Sequence, residues 1–306
     1  TGCPRAVLIL AFKHLRALLK MPFLVNNMSN VIKLEAKKVQ LDLADFNEYK
    51  RFADIRDKSV IVSFTTYGEQ IHEVHYVIKS ILSQTIRPNK IVLWLDESEF
   101  SESDIPLTLS SLYEFGLEVE SVSNIKSYKK YIPTAKKYPN DIIITIDDDF
   151  IYPQDMVEGL LREHLVLPNV ILGTRAHRVK YNKKGKILPY NKWEYEANSF
   201  SLKEDVFLTS GAGMLFPPGL LSNEVFNEKV FMELADSADD IWFKVIAHIS
   251  GVDCKKINDK RDWPTRYLQL STGYNQSLSS MNVGKARNDT QLSALLNFYN
   301  LNSLRR

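Results

Sequence analysis

Short apolar runs recur through the middle of the chain, each ending on polar or acidic residues. Val60-Ile61-Val62-Ser63-Phe64, Ile91-Val92-Leu93-Trp94-Leu95 and Ile142-Ile143-Ile144-Thr145-Ile146 are nearly unbroken and rich in β-branched residues. That is the pattern of strands buried on both faces of a parallel sheet. Leu117 to Val122 alternates instead, as a half-buried strand does. Between the first two runs, Val74, Val77, Ile78, Ile81 and Leu82 fall on one side of a helix. This β-α-β order predicts an α/β domain with a mostly parallel sheet and crossover connections. Further along, Met156, Val157, Leu160, Leu161 and Leu165 predict a helix, and Val170-Ile171-Leu172-Gly173 a strand continuing through Thr174 to Val179. Gly211-Ala212-Gly213 opens a strand at Met214, and Ile241, Trp242, Val245, Ile246 and Ile249 mark a last strong helix.

The pattern weakens at both ends of the 306 residues. Residues 1–20 pair Ala6-Val7-Leu8-Ile9-Leu10-Ala11-Phe12 with Lys13, His14, Arg16 and Lys20. They read as a basic, amphipathic membrane-surface segment or as an added extension, with Met21 a natural start. Residues 21–58 form a lead-in, 59–259 the main domain, and 260–306 a polar loop with a C-terminal helix. Tyr181 to Asn198, rich in Lys, Asn, Tyr and Trp, is expected to be a surface excursion over a site.

Composition narrows the classes only slightly. A net charge of +2 gives no reason to expect a nucleic-acid partner. Cys3 and Cys254 form neither a disulfide framework nor a zinc spacing, which favours a reducing, cytoplasmic setting. No run reaches the roughly 18 apolar residues of a membrane span. Oligomeric state is not legible. The dinucleotide fingerprint GxGxxG and the phosphate loop GxxxxGK[ST] are both absent.

Asp147-Asp148-Asp149, where the third apolar run ends, carries the strongest chemical signal. Three adjacent carboxylates repel one another unless they are solvated or hold a cation. Ligands of open α/β sheets bind at the carboxyl ends of strands, where this turn lies. A solvated, helix-capping turn is the plain alternative. An EF-hand calcium loop is not, because Tyr152 stands where its glycine belongs. Asp239-Asp240, three residues after Ser237, are either a functional pair or part of a helix cap.

The ordered set of Val60 to Tyr67, Ser80-Ile81-Leu82-Ser83-Gln84-Thr85, Asp147-Asp148-Asp149 and Asp239-Asp240 resembles a GT-A glycosyltransferase. The nearest group is the family-two type of bacterial capsule, lipopolysaccharide and surface-glycan assembly, over about residues 59–250. The resemblance implies a Rossmann-like, mostly parallel sheet flanked by helices. It also implies a nucleoside-diphosphate sugar donor, with UDP the expected nucleotide, and a glycan or lipid-linked glycan acceptor. A magnesium or manganese ion would bridge the diphosphate and the Asp-x-Asp turn, and location at the inner face of a membrane would follow.

In that scheme Asp147 and Asp149 match the metal motif, with Asp149 the direct ligand and Asp147 or Asp148 at the ribose or a metal-bound water. Asp240 matches the general base of inverting enzymes and Asp239 its neighbour, a Glu in the family. Thr65, Thr66 and Tyr67 match the nucleobase and ribose wall, and Asp96 would bind base or ribose unless it is a structural cap. Lys126, Lys129 and Lys130 are candidate phosphate partners. Gly211, Ala212 and Gly213 would let a sugar approach the backbone. Arg175, His177 and Arg178 could meet a charged acceptor. The family's Gln/Arg-x-x-Arg-Trp feature is not recognisable, which favours transfer of a single sugar over processive synthesis. Competing readings are a nucleotidyltransferase acting on sugar phosphates and a non-catalytic glycan-binding module using Trp193 and Tyr195.

Overall fold

Seven strands, taken in chain order with helices between them, assemble one central sheet. They are β1 Val60–Thr65, β2 Lys90–Asp96, β3 Leu117–Val122, β4 Ile142–Thr145, β5 Val170–Gly173, β6 Met214–Phe216 and β7 Asp253–Lys256. Their order across the sheet is β7-β5-β6-β4-β1-β2-β3. β1 pairs in parallel with β2 and β4, β2 with β3, and β5 with β7. β6 alone runs antiparallel, wedged between β4 and β5. The computed structural model describes residues 28–47, 51–55, 57–197, 202, 205–261, 263–270 and 287–305.

The apolar runs become the central strands because those strands are covered on both faces. Val60 to Phe64 and Ile142 to Thr145 are all buried. β3 alternates because it is the sheet edge, where only Leu117 is buried. Its outward carboxylates are charge-paired, Glu118 with Lys90 and Glu120 with Lys137, which blunts an edge open to further pairing.

The covering helices are α1 Val74–Leu82, α2 Ile132–Lys137, α3 Met156–Val166, α4 Glu228–Leu234, α5 Asp239–Ile249 and α6 Arg287–Phe298. α1 buries the five apolar residues its spacing predicts. α3 departs at its last turn, where His164 is buried and Leu165 lies 68% exposed. α5 carries Trp242, Phe243 and Ile246 into the core, and Phe243 meets Phe216 and Tyr131 edge-on. Ile249, at the end of that stripe, is already at the surface.

The strand expected over residues 170–179 breaks after Gly173. A Cβ there would sit 2.8 Å from Leu208 Cδ2, so the glycine admits the neighbouring hairpin. That hairpin pairs Ala176–Arg178 with Val206–Leu208, antiparallel. The excursion from Tyr181 is anchored and not open: Tyr190 and Trp193 are buried against Phe207. Part of the expected C-terminal loop is also structured. Trp263–Arg266 is a short helix, and Leu268–Gln269 pairs antiparallel with Phe150–Ile151. The stretch 271–286 lies outside the described residues, as do the basic residues 1–20.

The chain divides into two compact units at Ala44–Asp45. The described part of the first is a helix over 28–42. Among the described residues no helix is long and apolar enough to cross a membrane.

Candidate active site

β4 delivers the acidic turn and a set of backbone ties fixes it. Asp147 N–H donates to Gly211 O at 3.0 Å and to the Tyr152 hydroxyl at 2.8 Å. The same hydroxyl donates to Gly211 O. Tyr152 is in turn placed by its own N–H, which donates to Ser80 Oγ at 3.1 Å. Gln84, fully buried, donates to Pro153 O at 2.8 Å and accepts from Val157 N at 3.0 Å. The end of α1 thus clamps the turn and the start of α3, a role for Ser80 and Gln84 that the sequence motif by itself did not explain.

The three side chains meet different surroundings. Asp147 Oδ1 lies 3.1 Å from Lys130 Nζ. Its other oxygen occupies the space a side chain at position 211 would need, since a Cβ there would sit 1.6 Å from Oδ2. Asp149 Oδ2 accepts from Gln269 Nε2 at 3.1 Å, and its carbonyl accepts from Leu270 N at 2.7 Å. Asp148 Oδ2 and Thr66 Oγ1 are both buried and neither has a partner at full hydrogen-bond geometry, although the Thr66 hydroxyl is near enough to favour the charged Asp148 carboxylate weakly. Burial, reinforced by Asp149 and Asp147, pushes the Asp148 carboxyl up to about 8 against the opposing Thr66 hydroxyl. Burial and then the Asp147 charge push Asp149 up to about 7.

A turn that suppresses ionisation of its own carboxylates suits a divalent cation, because a hard ion would relieve both desolvation and mutual repulsion. Among the described residues, no group of three or more His, Cys, Asp or Glu is arranged to hold a metal by itself. An ion held here would have to draw on the turn's carboxylates, Asp149 and Asp147 being those the sequence resemblance implies, with further oxygens from a ligand.

The second acidic pair opens α5. Its N-cap is Ala238 and no side chain caps it, so the capping box suggested by Ser237 and Asp240 does not form. Both carboxylates instead reach Ser210: Asp240 Oδ1 accepts from its N–H at 2.6 Å, and Asp239 Oδ2 accepts from its Oγ at 2.8 Å. Lys130 Nζ lies 3.0 Å from Asp239 Oδ2. Burial opposes the Asp239 charge, but Lys130 and Ser210 more than compensate and hold its pKa down. Asp240 is the reverse case: burial and the Asp239 charge push it up to about 7, against Lys130 and Ser210. Lys130, although buried, has its pKa raised by Asp147, Asp239 and Asp240, which outweigh burial.

The remaining candidates separate into those near the triplet and those committed elsewhere. Tyr67 is half-buried, and burial followed by the Asp148 charge raises its phenol pKa, which puts it beside the turn. Thr66 is buried against Asp148, whereas Thr65 donates to Trp94 O at 2.8 Å within the sheet. Gly211 backs Asp147; Ala212 and Gly213 are buried, with Gly213 at φ +105°.

Asp96 accepts from Ser98 N at 2.9 Å and lies 3.4 Å from the Lys129 ammonium, so it behaves as a turn cap with an ion pair. Burial opposes its charge, but Ser98 and Lys129 hold it below the usual carboxylate range. Lys126 pairs with Asp236 at the surface. With Lys129 on Asp96 and Lys130 on Asp147 and Asp239, each of the three lysines already has a carboxylate.

Arg175 pairs with Glu196 at 3.0 Å and stacks on Trp263, 4.3 Å from the ring centroid. Arg178 pairs with Glu194 at 3.2 Å. His177 accepts from Glu196 N at 3.0 Å through Nδ1, and burial followed by Arg175 pushes its pKa down to about 3. It is a neutral core histidine. Trp193 is only 4% exposed, while Tyr195 is 42% exposed.

Ser210 and Gln269 are site residues that sequence reasoning missed. Ser210 had one available signal, its place directly before Gly211. Gln269 had none, standing in a polar tail. A cavity of about 380 Å³ beside α3, lined by residues such as Asp155, Gly159 and Arg266, includes none of these acidic residues. Comparison with protein-family models finds no match, and comparison with curated proteins finds none either.

Proposed function

We propose that this chain is a divalent-metal-dependent, inverting glycosyltransferase of the GT-A type. It would move one sugar from a nucleoside-diphosphate donor, expected to be a UDP-sugar, to a hydroxyl of a glycan or lipid-linked glycan. The observation that carries the reading is the meeting of two acidic groups through Lys130 and Ser210. One is a carboxylate turn without full counter-charge at the end of a central strand; the other ends in a carboxylate poised to gain or lose a proton near neutrality.

Asp240 acts as general base. It takes the acceptor hydroxyl's proton while the oxygen attacks the anomeric carbon and the bond to the diphosphate breaks, inverting that centre. An apparent pKa near 7 keeps enough of Asp240 ionised at neutral pH and makes it more basic than an exposed carboxylate. Ser210 N–H orients the Asp240 carboxylate, and buried, paired Asp239 sustains its basicity. Tyr67 and Thr66 flank the turn where base and ribose would lie. A magnesium or manganese ion on Asp149 and Asp147 would supply Lewis-acid stabilisation of the departing diphosphate. Work at the inner face of a bacterial membrane fits the acceptor class.

The test is thermal denaturation with UDP, with manganese and with both, followed by turnover of UDP-sugars. The expected result is that the pair stabilises more than either alone, because a ligand bound only by the folded state shifts unfolding. Equal shifts with and without manganese would overturn the cation bridge, and absence of any nucleotide-sugar turnover would overturn the reaction.

A further inference from the structure

Two acidic groups far apart in the chain share one cation. Lys130 is 5% exposed and closes the short turn Lys126–Lys130 just before α2. Its ammonium sits 3.1 Å from Asp147 Oδ1 and 3.0 Å from Asp239 Oδ2. A residue so buried between two carboxylates is poorly placed to greet a phosphate, which would have to displace one of them. The arrangement has another consequence. Asp147 is also lodged against Gly211, whose chain neighbour Ser210 holds both Asp239 and Asp240. A shift of Asp147 is therefore felt at the second acidic pair by two routes, through Lys130 and through Gly211–Ser210.

Resting on the glycosyltransferase reading, we propose that Lys130 is a positioning residue that acts as a built-in counter-cation, holding Asp147 until a divalent ion takes its place. Two cations cannot both enjoy Asp147 without repelling each other over a few ångströms of poorly solvated space. Entry of the metal weakens the Lys130–Asp147 pair and throws Lys130 onto Asp239. The metal's affinity is then held below what its oxygen donors alone would give. Occupancy of the turn is reported to Asp239, and through Ser210 to Asp240. A general base fixed only after the donor's metal has arrived would limit wasteful attack by water.

The test is a manganese titration of the full chain in the presence of UDP, reading free manganese by its electron paramagnetic resonance signal. Lys130→Met, which removes the competing charge, is expected to bind manganese about tenfold more tightly than wild type. Asp239→Asn, which leaves Lys130 to Asp147 alone, is expected to bind about tenfold more weakly. Asp236→Asn serves as the charge control: it removes a carboxylate paired with Lys126 and Arg287, not with Lys130, and should stay within about twofold.

Unchanged or weaker binding in Lys130→Met would overturn the proposal, as would equal losses in the two aspartate variants. If Lys130→Met does not fold, the two aspartate variants decide the matter. Wild type that binds no manganese with UDP would sink the glycosyltransferase reading as well, whereas normal wild-type binding with an unaltered Lys130→Met sinks the counter-cation alone.

Discussion

The acidic turn after β4 and the acidic start of α5 contain the same side chain in opposite predicaments. At the turn, three carboxylates follow a strand with one ammonium and one amide among them, and Asp148 Oδ2 has no partner at full hydrogen-bond geometry. At the helix start, two carboxylates share an ammonium and both polar groups of Ser210. The first group can relieve its repulsion by protonation or, on the proposed reading, by a cation. The second is already neutralised on one member, Asp239, which leaves Asp240 free to exchange a proton. On the proposed reading, counter-charge, more than residue type, would divide metal ligand from base.

The comparison is broken most sharply at Asp149. Asp149→Ala should abolish the manganese-dependent part of UDP stabilisation and lower transfer by at least about 10³-fold, while the ligand-free melt at neutral pH is not lowered, since the variant also loses a buried carboxylate whose charge opposes folding. A wild-type metal response would remove Asp149 from the site. Next in size is Asp240→Asn, expected to lower kcat by at least about 10²-fold with donor affinity largely retained. A structural Asp240 would instead show lower stability and normal turnover per folded molecule. Asp239→Asn sharpens the same contrast: losing the charge that raises Asp240 should move the acid limb of the pH–rate profile downward from near 7.

Gly211→Ala probes the seam between the regions. The added methyl claims the position of Asp147 Oδ2, so a loss of about 1–3 kcal/mol is expected in a denaturant melt, with weaker manganese binding. Unaltered stability would mean that Asp147 has room elsewhere.

The smallest effect is on pH dependence. Asp148 and Asp149 hold protons more tightly when folded than unfolded, with folded values of about 8 and about 7. Their contribution to stability is complete below the unfolded carboxylate range near 4 and is lost as pH rises through 7 to 8. The metal-free melting temperature should therefore fall from about pH 4 to about pH 8 and level off above it, and the shift produced by manganese with UDP should grow over the same window. A manganese shift that shrinks with pH would contradict an uncompensated turn.

Much of this was written in the order of residues. Runs such as Ile142 to Ile146 could only be strands covered on both faces, since so many adjacent apolar side chains leave no side for water. The alternation of strands with helices therefore determined a mostly parallel sheet, and placed Asp147 to Asp149 at a strand's carboxyl end. Local pattern could not show the antiparallel insertion of β6, which brings Gly211 against Asp147. Nor could it show that Lys129 and Lys130, adjacent in sequence, serve different carboxylates, or that Ser210 and not Ser237 holds Asp240. Periodicity reports which face of an element is buried, and it is silent on what that face meets. Ionic partners come from distant segments, so the division of labour between the two acidic groups was decided only when the chain closed.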